Sequence, residues 1–237
     1  MLGWSVDPST SSVSSTDGPD ARLLDDWDAR GRTTTPMART MYLRLCKRSF
    51  DVIGAVALLV VLSPLLASVW LSLRCTLGPG VVLRQERIGR SGRTYACLKF
   101  RTMAHCRRER SRDYNGPNRR LTHKSDADPR HTRLGRLVRR YSLDEVLQLV
   151  NVVRGEMSLV GPRPEMASVA TAAFLNHRRH AVRPGLTGPY QVSELRTNGR
   201  LVDGLELDEA YVDTVSLGTD LRLLAATAVA VARGSGS

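Results

Sequence analysis

Residues 47–75, KRSFDVIGAVALLVVLSPLLASVWLSLRC, contain the apolar run that decides the class of fold. The 22 residues from 52 to 73 carry no charged side chain, and this length is sufficient for a membrane segment. A soluble helix with the same sequence would need protein packed against every side. The sequence therefore predicts a membrane-associated protein.

Ser63 and Pro64 stand near the middle of this run. Pro64 has no backbone N–H and its ring meets the carbonyl of Val60, so the helix is expected to kink or break there. Each half is roughly 16 Å long, about half of a hydrocarbon core. We therefore predict a re-entrant helix over residues 41–75, broken at Ser63 and Pro64. A single spanning helix is the alternative, because membrane helices tolerate proline.

Basic flanks on both sides of the run favour re-entry over crossing. Cytoplasmic flanks are enriched in Lys and Arg, so a single crossing would suit one flank only. The charges before the run are Arg39, Arg44, Lys47 and Arg48, and those after it are Arg74, Arg84, Arg87 and Arg90.

The whole chain is basic, with 35 Lys and Arg against 23 Asp and Glu and a net charge of +12. Such an excess indicates an anionic partner: nucleic acid, an anionic leaflet or a phosphorylated substrate. Only three Phe and the uncharged run argue against nucleic acid. Residues 1–36 are acidic and rich in Ser and Thr, which predicts a disordered tail over 1–40. Four cysteines lack zinc-site spacing and suggest no disulfide framework, which fits a reduced cytosolic environment.

The remainder, residues 76–237, predicts an α+β, helix-dominated globular domain. Strand-like runs at 81–88 and 94–103, separated by a turn at 89–93, predict a β-hairpin. Residues 104–131 are polar and charged and predict a mobile loop. Helices are expected around 133–141, over 142–153 and in one or two pieces near the C-terminus.

Asp144 and Glu145 open the apolar helical pattern that begins at Ser142. Ser142 and Glu145 fit a capping box, and acidic residues suit the first turn of a helix. An ionised aspartate at a helix mouth can also act as a nucleophile. The local pattern leaves both interpretations open, and capping is the simpler one.

Several cations surround this acidic pair in the sequence. Arg139 lies within two turns of it, and its planar fork suits phosphate oxygens. Arg163 stands between Pro162 and Pro164, which restrict the backbone and so direct its guanidinium. Lys99 and Arg101 end the second predicted strand. A nucleophile, a second carboxylate able to hold Mg²⁺ and several cations form the set that phosphoryl transfer requires.

Seven pieces, in order, resemble the monotopic phosphoglycosyl transferases, the bacterial sugar transferases that prime glycan assembly on polyprenyl phosphate. The resemblance covers about residues 42–224. The pieces are KRSFDV, the apolar run with SP, GPGVVLRQERIG, KFRTM, TRLGRLVRRYSLDEVLQLVNVVRGEMSLVGPRPE, RPGLTGPYQV and YVDTVSLGTDLRLL.

The resemblance implies a minimal catalytic form at the cytoplasmic face of the cell membrane. It implies that Asp144 attacks the β-phosphate of a UDP-sugar, that UMP leaves, and that polyprenyl phosphate then accepts the sugar phosphate in the first step of glycan or exopolysaccharide assembly. Glu145 would help bind Mg²⁺ and assist deprotonation. Lys99, Arg139 and Arg163 match basic residues of the site, and some members form dimers.

The identity of the sugar does not follow from any of these residues. Two alternatives to the transferase remain open: an inactive membrane scaffold and a UDP-sugar hydrolase. Release of UMP, with and without polyprenyl phosphate, separates the three.

Overall fold

A computed structural model of the chain describes residues 41–103, 132–169, 172–193 and 201–234. The predicted tail over 1–40 and the predicted loop at 104–131 lie outside the described residues. The helices are α1 (Lys47–Leu77), α2 (Arg133–Arg140), α3 (Gln148–Arg154), α4 (Ala172–Leu175), α5 (Pro189–Val192), α6 (Leu201–Thr214) and α7 (Leu217–Ala232). The strands are β1 (Val82–Ile88), β2 (Thr94–Phe100), β3 (Ser158–Val160) and β4 (Gly185–Thr187). The helix-dominated α+β class is confirmed.

Helix α1 is 31 residues long, follows a π-helical turn at Tyr42–Cys46, and continues without interruption through Pro64. The helix therefore does not break at Ser63 and Pro64, and a kink at this position, the other outcome that the sequence predicts, stays a prediction. The reason lies in the side chain of Ser63, whose Oγ donates to the carbonyl of Val60 at 2.8 Å. That carbonyl is the one left without an N–H donor by a proline at position 64. The helix ends at Leu77, two residues beyond the predicted limit of 75, and Gly78 follows it with a φ of +75°.

The two ends of α1 are buried, whereas its middle is exposed. Ala55 and Leu73 are completely buried, while Val60 and Val61 are 68% and 73% exposed. Among the described residues, α1 is the one helix long and apolar enough to cross a membrane, judged by length and composition alone. An apolar surface of this kind, held between two anchored ends, is typical of a lipid-contacting element.

A buried charged network anchors the beginning of α1. Lys47 donates to Asp220 at 2.7 Å and to Asp51 at 3.2 Å, and both carboxylates are fully buried. The hydroxyls of Tyr42 and Tyr211 donate to the same Asp220 at 2.5 and 2.8 Å. Burial, together with the charge of Asp220 and the hydrogen bond to it, raises the pKa of Tyr211 well above its ordinary value, so the hydroxyl remains a donor. The network therefore ties the start of α1 to α6 and α7.

The other end of α1 packs in a second apolar core, beside the hairpin and α2. Leu73 and Val69 join Val81, Phe100 and Val138 in this core. Both ends of α1 thus contact the same body of protein, formed by the chain that follows the helix.

The predicted β-hairpin is confirmed. Strands β1 and β2 pair antiparallel, with Val82 opposite Phe100 and Ile88 opposite Thr94. Ser91 and Gly92 form the turn with φ values of 58° and 72°. Strands β3 and β4 form a second, parallel pair, which was not predicted from the sequence.

Asn151 joins α3 to the outer edge of β2. Its side chain is fully buried; Oδ1 accepts from the Leu98 N–H at 3.0 Å, and Nδ2 donates to the Ala96 carbonyl at 2.8 Å. The amide group therefore takes the place of a neighbouring strand. It sets α3, and the turn before α3, beside Lys99.

Candidate active site

Asp144 and Glu145 lie on a tight turn between α2 and α3. Leu143–Glu145 is a 3₁₀ turn, and α3 begins only at Gln148, so the predicted continuous helix over 142–153 is wrong. The predicted capping box is wrong as well. Ser142 has φ 53°, in the left-handed region, and its side chain makes no cap hydrogen bond; the Glu145 N–H donates to the Ser142 backbone carbonyl instead. The turn presents the two carboxylates next to each other outside regular helix.

Lys99, on β2, bridges the two carboxylates. Its Nζ lies 2.6 Å from Asp144 Oδ2 and 3.3 Å from Glu145 Oε1. Burial alone would lower the pKa of Lys99, but the negative charges of Glu145 and Asp144 outweigh it and leave the pKa raised. Lys99 is therefore a permanent cation at neutral pH. Asp144 is only 3% exposed, and Lys99 is the one partner that its carboxylate has among the described residues.

A polar cleft opens beside this group, and Lys99, Glu145, Arg163 and Pro164 contribute to its wall. Asp144 lies behind Lys99, not in the cleft wall itself. The cleft wall therefore brings together Lys99, Glu145 and Arg163, three of the predicted site residues, and Asp144 lies immediately behind them. The rest of the lining is mostly polar: Gln85, Arg87, Cys97, Gln148, Gly185, Leu186 and Gln191.

The loop that carries Arg163 is fixed through its backbone carbonyls. Pro162 accepts from the Gly185 N–H and Pro164 accepts from Arg87, each at 2.9 Å. Arg179 donates to the carbonyl of Arg163 itself. A Cβ on Gly185 would lie 2.1 Å from the Gly161 nitrogen, so the close approach of the two loops requires glycine.

Arg139 also belongs to this neighbourhood. It is the seventh residue of α2 and is partly buried, and its positive charge opposes the rise in the pKa of Lys99. Arg139 therefore lies near enough to Lys99 to act on its charge, and its role in binding phosphate stays a prediction.

Arg101 lies elsewhere, which corrects the prediction that it faces substrate phosphate. The side chain is buried, and NH2 donates to the carbonyl of Leu77 at 2.5 Å, at the C-terminal end of α1. Side chains alternate along a strand, but Arg101 follows the end of β2 and turns toward α1. It anchors the C-terminal end of α1.

The described residues contain no group of three or more metal-binding side chains. Magnesium commonly binds one or two protein carboxylates and completes its coordination with water and substrate phosphates. Glu145, at the cleft with its side chain 21% exposed, fits that pattern.

Two sets of supporting residues at the site were not predicted from the sequence. The Asn151 amide positions the acidic turn against β2, and a buried pair, Arg179 and Asp208, supports Arg163. Asn151 follows the acidic pair by six residues, but nothing in the local sequence indicates that it contacts a strand.

A comparison with protein families agrees with this geometry. Residues 42–234 match the model of the family described as "Bacterial sugar transferase". The chain belongs to the bacterial sugar transferase family. The predicted membership among bacterial phosphoglycosyl transferases is confirmed, and with it the prediction of an enzyme.

The names of two relatives of this sugar transferase specify different sugars, galactose and glucose. The exopolysaccharide production protein ExoY of Sinorhizobium fredii is 38% identical over 205 residues, 81% of the chain and 88% of the relative. A UDP-glucose:undecaprenyl-phosphate glucose-1-phosphate transferase of Caulobacter vibrioides is 37% identical over 220 residues, 89% of the chain and 76% of the relative. An undecaprenyl-phosphate galactose phosphotransferase of Salmonella typhimurium is 35% identical over 202 residues, 82% of the chain but 42% of that longer relative.

Proposed function

We propose that this sugar transferase moves a sugar 1-phosphate from a UDP-sugar to polyprenyl phosphate, through a phosphosugar intermediate on Asp144. The observation that supports this most is the Lys99 ammonium between Asp144 and Glu145, at a cleft that Arg163 also lines. The names of the relatives supply the substrate class, since they include undecaprenyl phosphate and UDP-glucose.

In the first half-reaction, a carboxylate oxygen of Asp144 attacks the β-phosphorus of the donor. The bond from that phosphorus to the oxygen bridging to the α-phosphorus breaks, and UMP leaves with the bridging oxygen. Lys99 bonds Asp144 through Oδ2, and Oδ1 has no partner among the described residues. The arriving diphosphate offers Lys99 new acceptors, which draws the ammonium from the carboxylate toward the phosphate and exposes the nucleophile.

In the second half-reaction, a phosphate oxygen of the polyprenyl phosphate attacks the same phosphorus. The bond between Asp144 and phosphorus breaks, which regenerates the carboxylate and yields polyprenyl-diphospho-sugar. Arg163 and Arg139 supply positive charge toward the phosphoryl oxygens in both steps. Phosphoryl transfer depends mainly on such positioning and charge neutralisation.

Glu145 is the residue that we assign to Mg²⁺. A bound Mg²⁺ supplies charge neutralisation to the phosphate oxygens. Glu145 otherwise orients Lys99, whose Nζ it contacts at 3.3 Å. The adjacency of the two carboxylates thus lets one act as nucleophile while its neighbour holds cations.

We infer a monotopic, cytoplasmic-face arrangement in which α1 enters the bilayer and returns. Both ends of α1 pack on one body of protein, through Lys47 at the start and Leu73 near the end. A helix crossing the bilayer would need that charged body on both sides at once. The exposed middle of α1 then faces lipid.

The test is a screen of UDP-glucose, UDP-galactose, UDP-N-acetylglucosamine and UDP-N-acetylgalactosamine with membranes that contain the full chain. UMP is followed with and without undecaprenyl phosphate. We expect one donor or more to give UMP and a lipid-linked sugar diphosphate, and the steady rate to require the lipid. Steady UMP release without lipid, with free sugar phosphate accumulating, would identify a hydrolase instead. No UMP from any of the four donors would support a scaffold.

Asp144→Asn and Glu145→Gln separate the two carboxylates. Asp144→Asn should lower UMP release at least about a thousandfold, because amides do not replace a carboxylate nucleophile. Glu145→Gln should slow both half-reactions and weaken the dependence on Mg²⁺. Asp213→Asn is a control, since Asp213 forms an exposed pair with Arg178 away from the cleft.

A further inference from the structure

A buried ion pair, Arg179 with Asp208, lies directly behind the loop that carries Arg163. The two side chains are each 2% exposed, and Arg179 NH2 lies 2.9 Å from Asp208 Oδ2. Arg179 belongs to a 3₁₀ turn, Arg178–Ala181, and Asp208 to α6. Neither residue takes part in the chemistry described above.

The pair contacts the Arg163 backbone through its carbonyl. Arg179 NH2 donates to this carbonyl, and the Arg163 N–H lies near enough to the Asp208 carboxylate to lower its pKa. The side chain of Arg163 leads from this point to the cleft, with its guanidinium carbon 5.9 Å from the centre of the Tyr190 ring. The pair therefore fixes the backbone of Arg163, the residue whose side chain extends to the cleft.

This support of the Arg163 backbone depends on the charge of Asp208. Arg179 is a buried cation that also lies beside the ring of Phe174, whose centre is 5.1 Å from its guanidinium carbon. A buried guanidinium without a counter-ion is strongly destabilised. Loss of the Asp208 charge would therefore drive Arg179 from its position and release the Arg163 carbonyl.

We propose that Asp208 and Arg179 are positioning residues that hold Arg163 ready for the diphosphate of the donor. This inference rests on the proposed function, in which Arg163 contacts phosphate. Small displacements of a binding group reduce its contribution severely, because the group must then be ordered at the moment of binding.

The same ion pair makes the position of Arg163 sensitive to pH. Burial raises the pKa of Asp208 to about 7, and the charge of Glu165 adds to this, while the charges of Arg179 and Arg163 and the Arg163 N–H oppose it. Asp208 is thus ionised above about pH 7 and becomes neutral below it. Neutral Asp208 no longer balances the positive charge of Arg179. The contact of Arg179 with the Arg163 carbonyl is therefore present at higher pH and lost as pH falls through about 7.

The experiment measures the Kd of UDP for the full chain in lipid nanodiscs, by calorimetry at pH 8. UDP is chosen because it carries the uridine and diphosphate common to every donor considered. Asp208→Asn keeps the size of the side chain and removes its charge, and we expect it to weaken UDP binding on the order of tenfold. The matched control is Asp213→Asn, whose partner Arg178 neighbours Arg179 and joins the same turn to α6 at the surface. That variant should bind UDP within about twofold of wild type.

Coupling to Arg163 distinguishes positioning from a general structural role. Arg163→Ala alone should weaken UDP binding at least about tenfold, and adding Asp208→Asn to it should change Kd less than about twofold. An equal loss from Asp208→Asn in both backgrounds would overturn the positioning role. Equal UDP binding by wild type and Arg163→Ala, or no UDP binding by wild type, would instead overturn the proposed function of the cleft, and this inference with it.

Arg179→Lys provides a second variant in case Asp208→Asn does not fold. It keeps a positive charge beside Asp208, but it lacks the guanidinium NH2 that contacts both Asp208 and the Arg163 carbonyl. UDP binding should therefore weaken again while the melting temperature stays near wild type. Wild-type affinity in a folded Arg179→Lys would contradict the proposal. The pH dependence adds a third reading: the roughly tenfold ratio between wild type and Asp208→Asn should shrink toward one between pH 8 and pH 6. A constant ratio would exclude Asp208 as the titrating group.

Discussion

Replacing Lys47 by Met tests how α1 is held to the rest of the enzyme. The ammonium of Lys47 contacts two carboxylates, Asp220 at 2.7 Å and Asp51 at 3.2 Å, and both are fully buried. Met fills similar space but leaves both carboxylates without their cation. Removing one partner of a buried ion pair costs about 3–5 kcal/mol. For a chain of this size each kcal/mol lowers the melting temperature by about 2–4 °C, so the expected decrease is about 6–20 °C.

The assay is thermal unfolding of the full chain in nanodiscs, followed by circular dichroism. Arg178→Ala is the matched control, because it removes a cation from an exposed pair whose side chains are 62% and 47% accessible. Exposed pairs contribute about 0–1 kcal/mol, so this variant should melt within about 4 °C of wild type. A Lys47→Met protein that melts as wild type does would refute the role of the network as an anchor.

Three further predictions concern the site and the helix. Asn151→Leu removes the partners of the Leu98 N–H and the Ala96 carbonyl, at a cost of about 1–3 kcal/mol each. The melting temperature and the rate of UMP release should both fall. An unchanged melting temperature would contradict the strand-like role of the amide. Arg101→Met should lower stability with little change in the KM of the donor, whereas Lys99→Met should abolish UMP release; a large rise in KM for Arg101→Met would return Arg101 to the cleft. Cys46 and Cys75 are exposed thiols at the two ends of α1, so in a Cys106→Ser background an impermeant maleimide should label both in inside-out vesicles and neither in intact spheroplasts. Replacement of Ser63-Pro64 by Ala-Leu should favour a spanning helix, and labelling of both thiols from the cytoplasmic side in that variant would show that Pro64 does not cause the return.

Patterns local in sequence predicted a large part of this molecule. The strand-like runs at 81–88 and 94–103 and the turn at 89–93 predicted the hairpin to within three residues, because strand pairing across a short turn depends on local sequence. The motifs containing Lys99, Asp144 and Arg163 were expected to meet, and they do so at one cleft. Their meeting was inferred from family resemblance, since they are far apart in sequence.

The failures arise where a contact overrides a local preference. Ser142 fits a capping box by spacing, but it adopts a left-handed conformation that directs the chain from α2 into the 3₁₀ turn. Pro64 should break a helix, yet the hydroxyl of the preceding residue satisfies the carbonyl that proline deprives of its donor. Lys47 and Asp51 are four residues apart, so their pairing was predictable. Asp220, which also contacts Lys47, lies 173 residues further along the chain, and no local pattern indicates that contact.

The central claim is that the carboxylate of Asp144 carries the sugar phosphate between donor and lipid. Intact-protein and peptide mass spectrometry of the full chain, quenched after incubation with an accepted UDP-sugar in the absence of lipid, measures this directly. The account predicts the added mass of one hexose phosphate, or of its N-acetyl form, on the peptide containing Asp144, and its loss when undecaprenyl phosphate is supplied. An enzyme that transfers sugar phosphate to lipid while this peptide stays unmodified at every quench time would contradict the account.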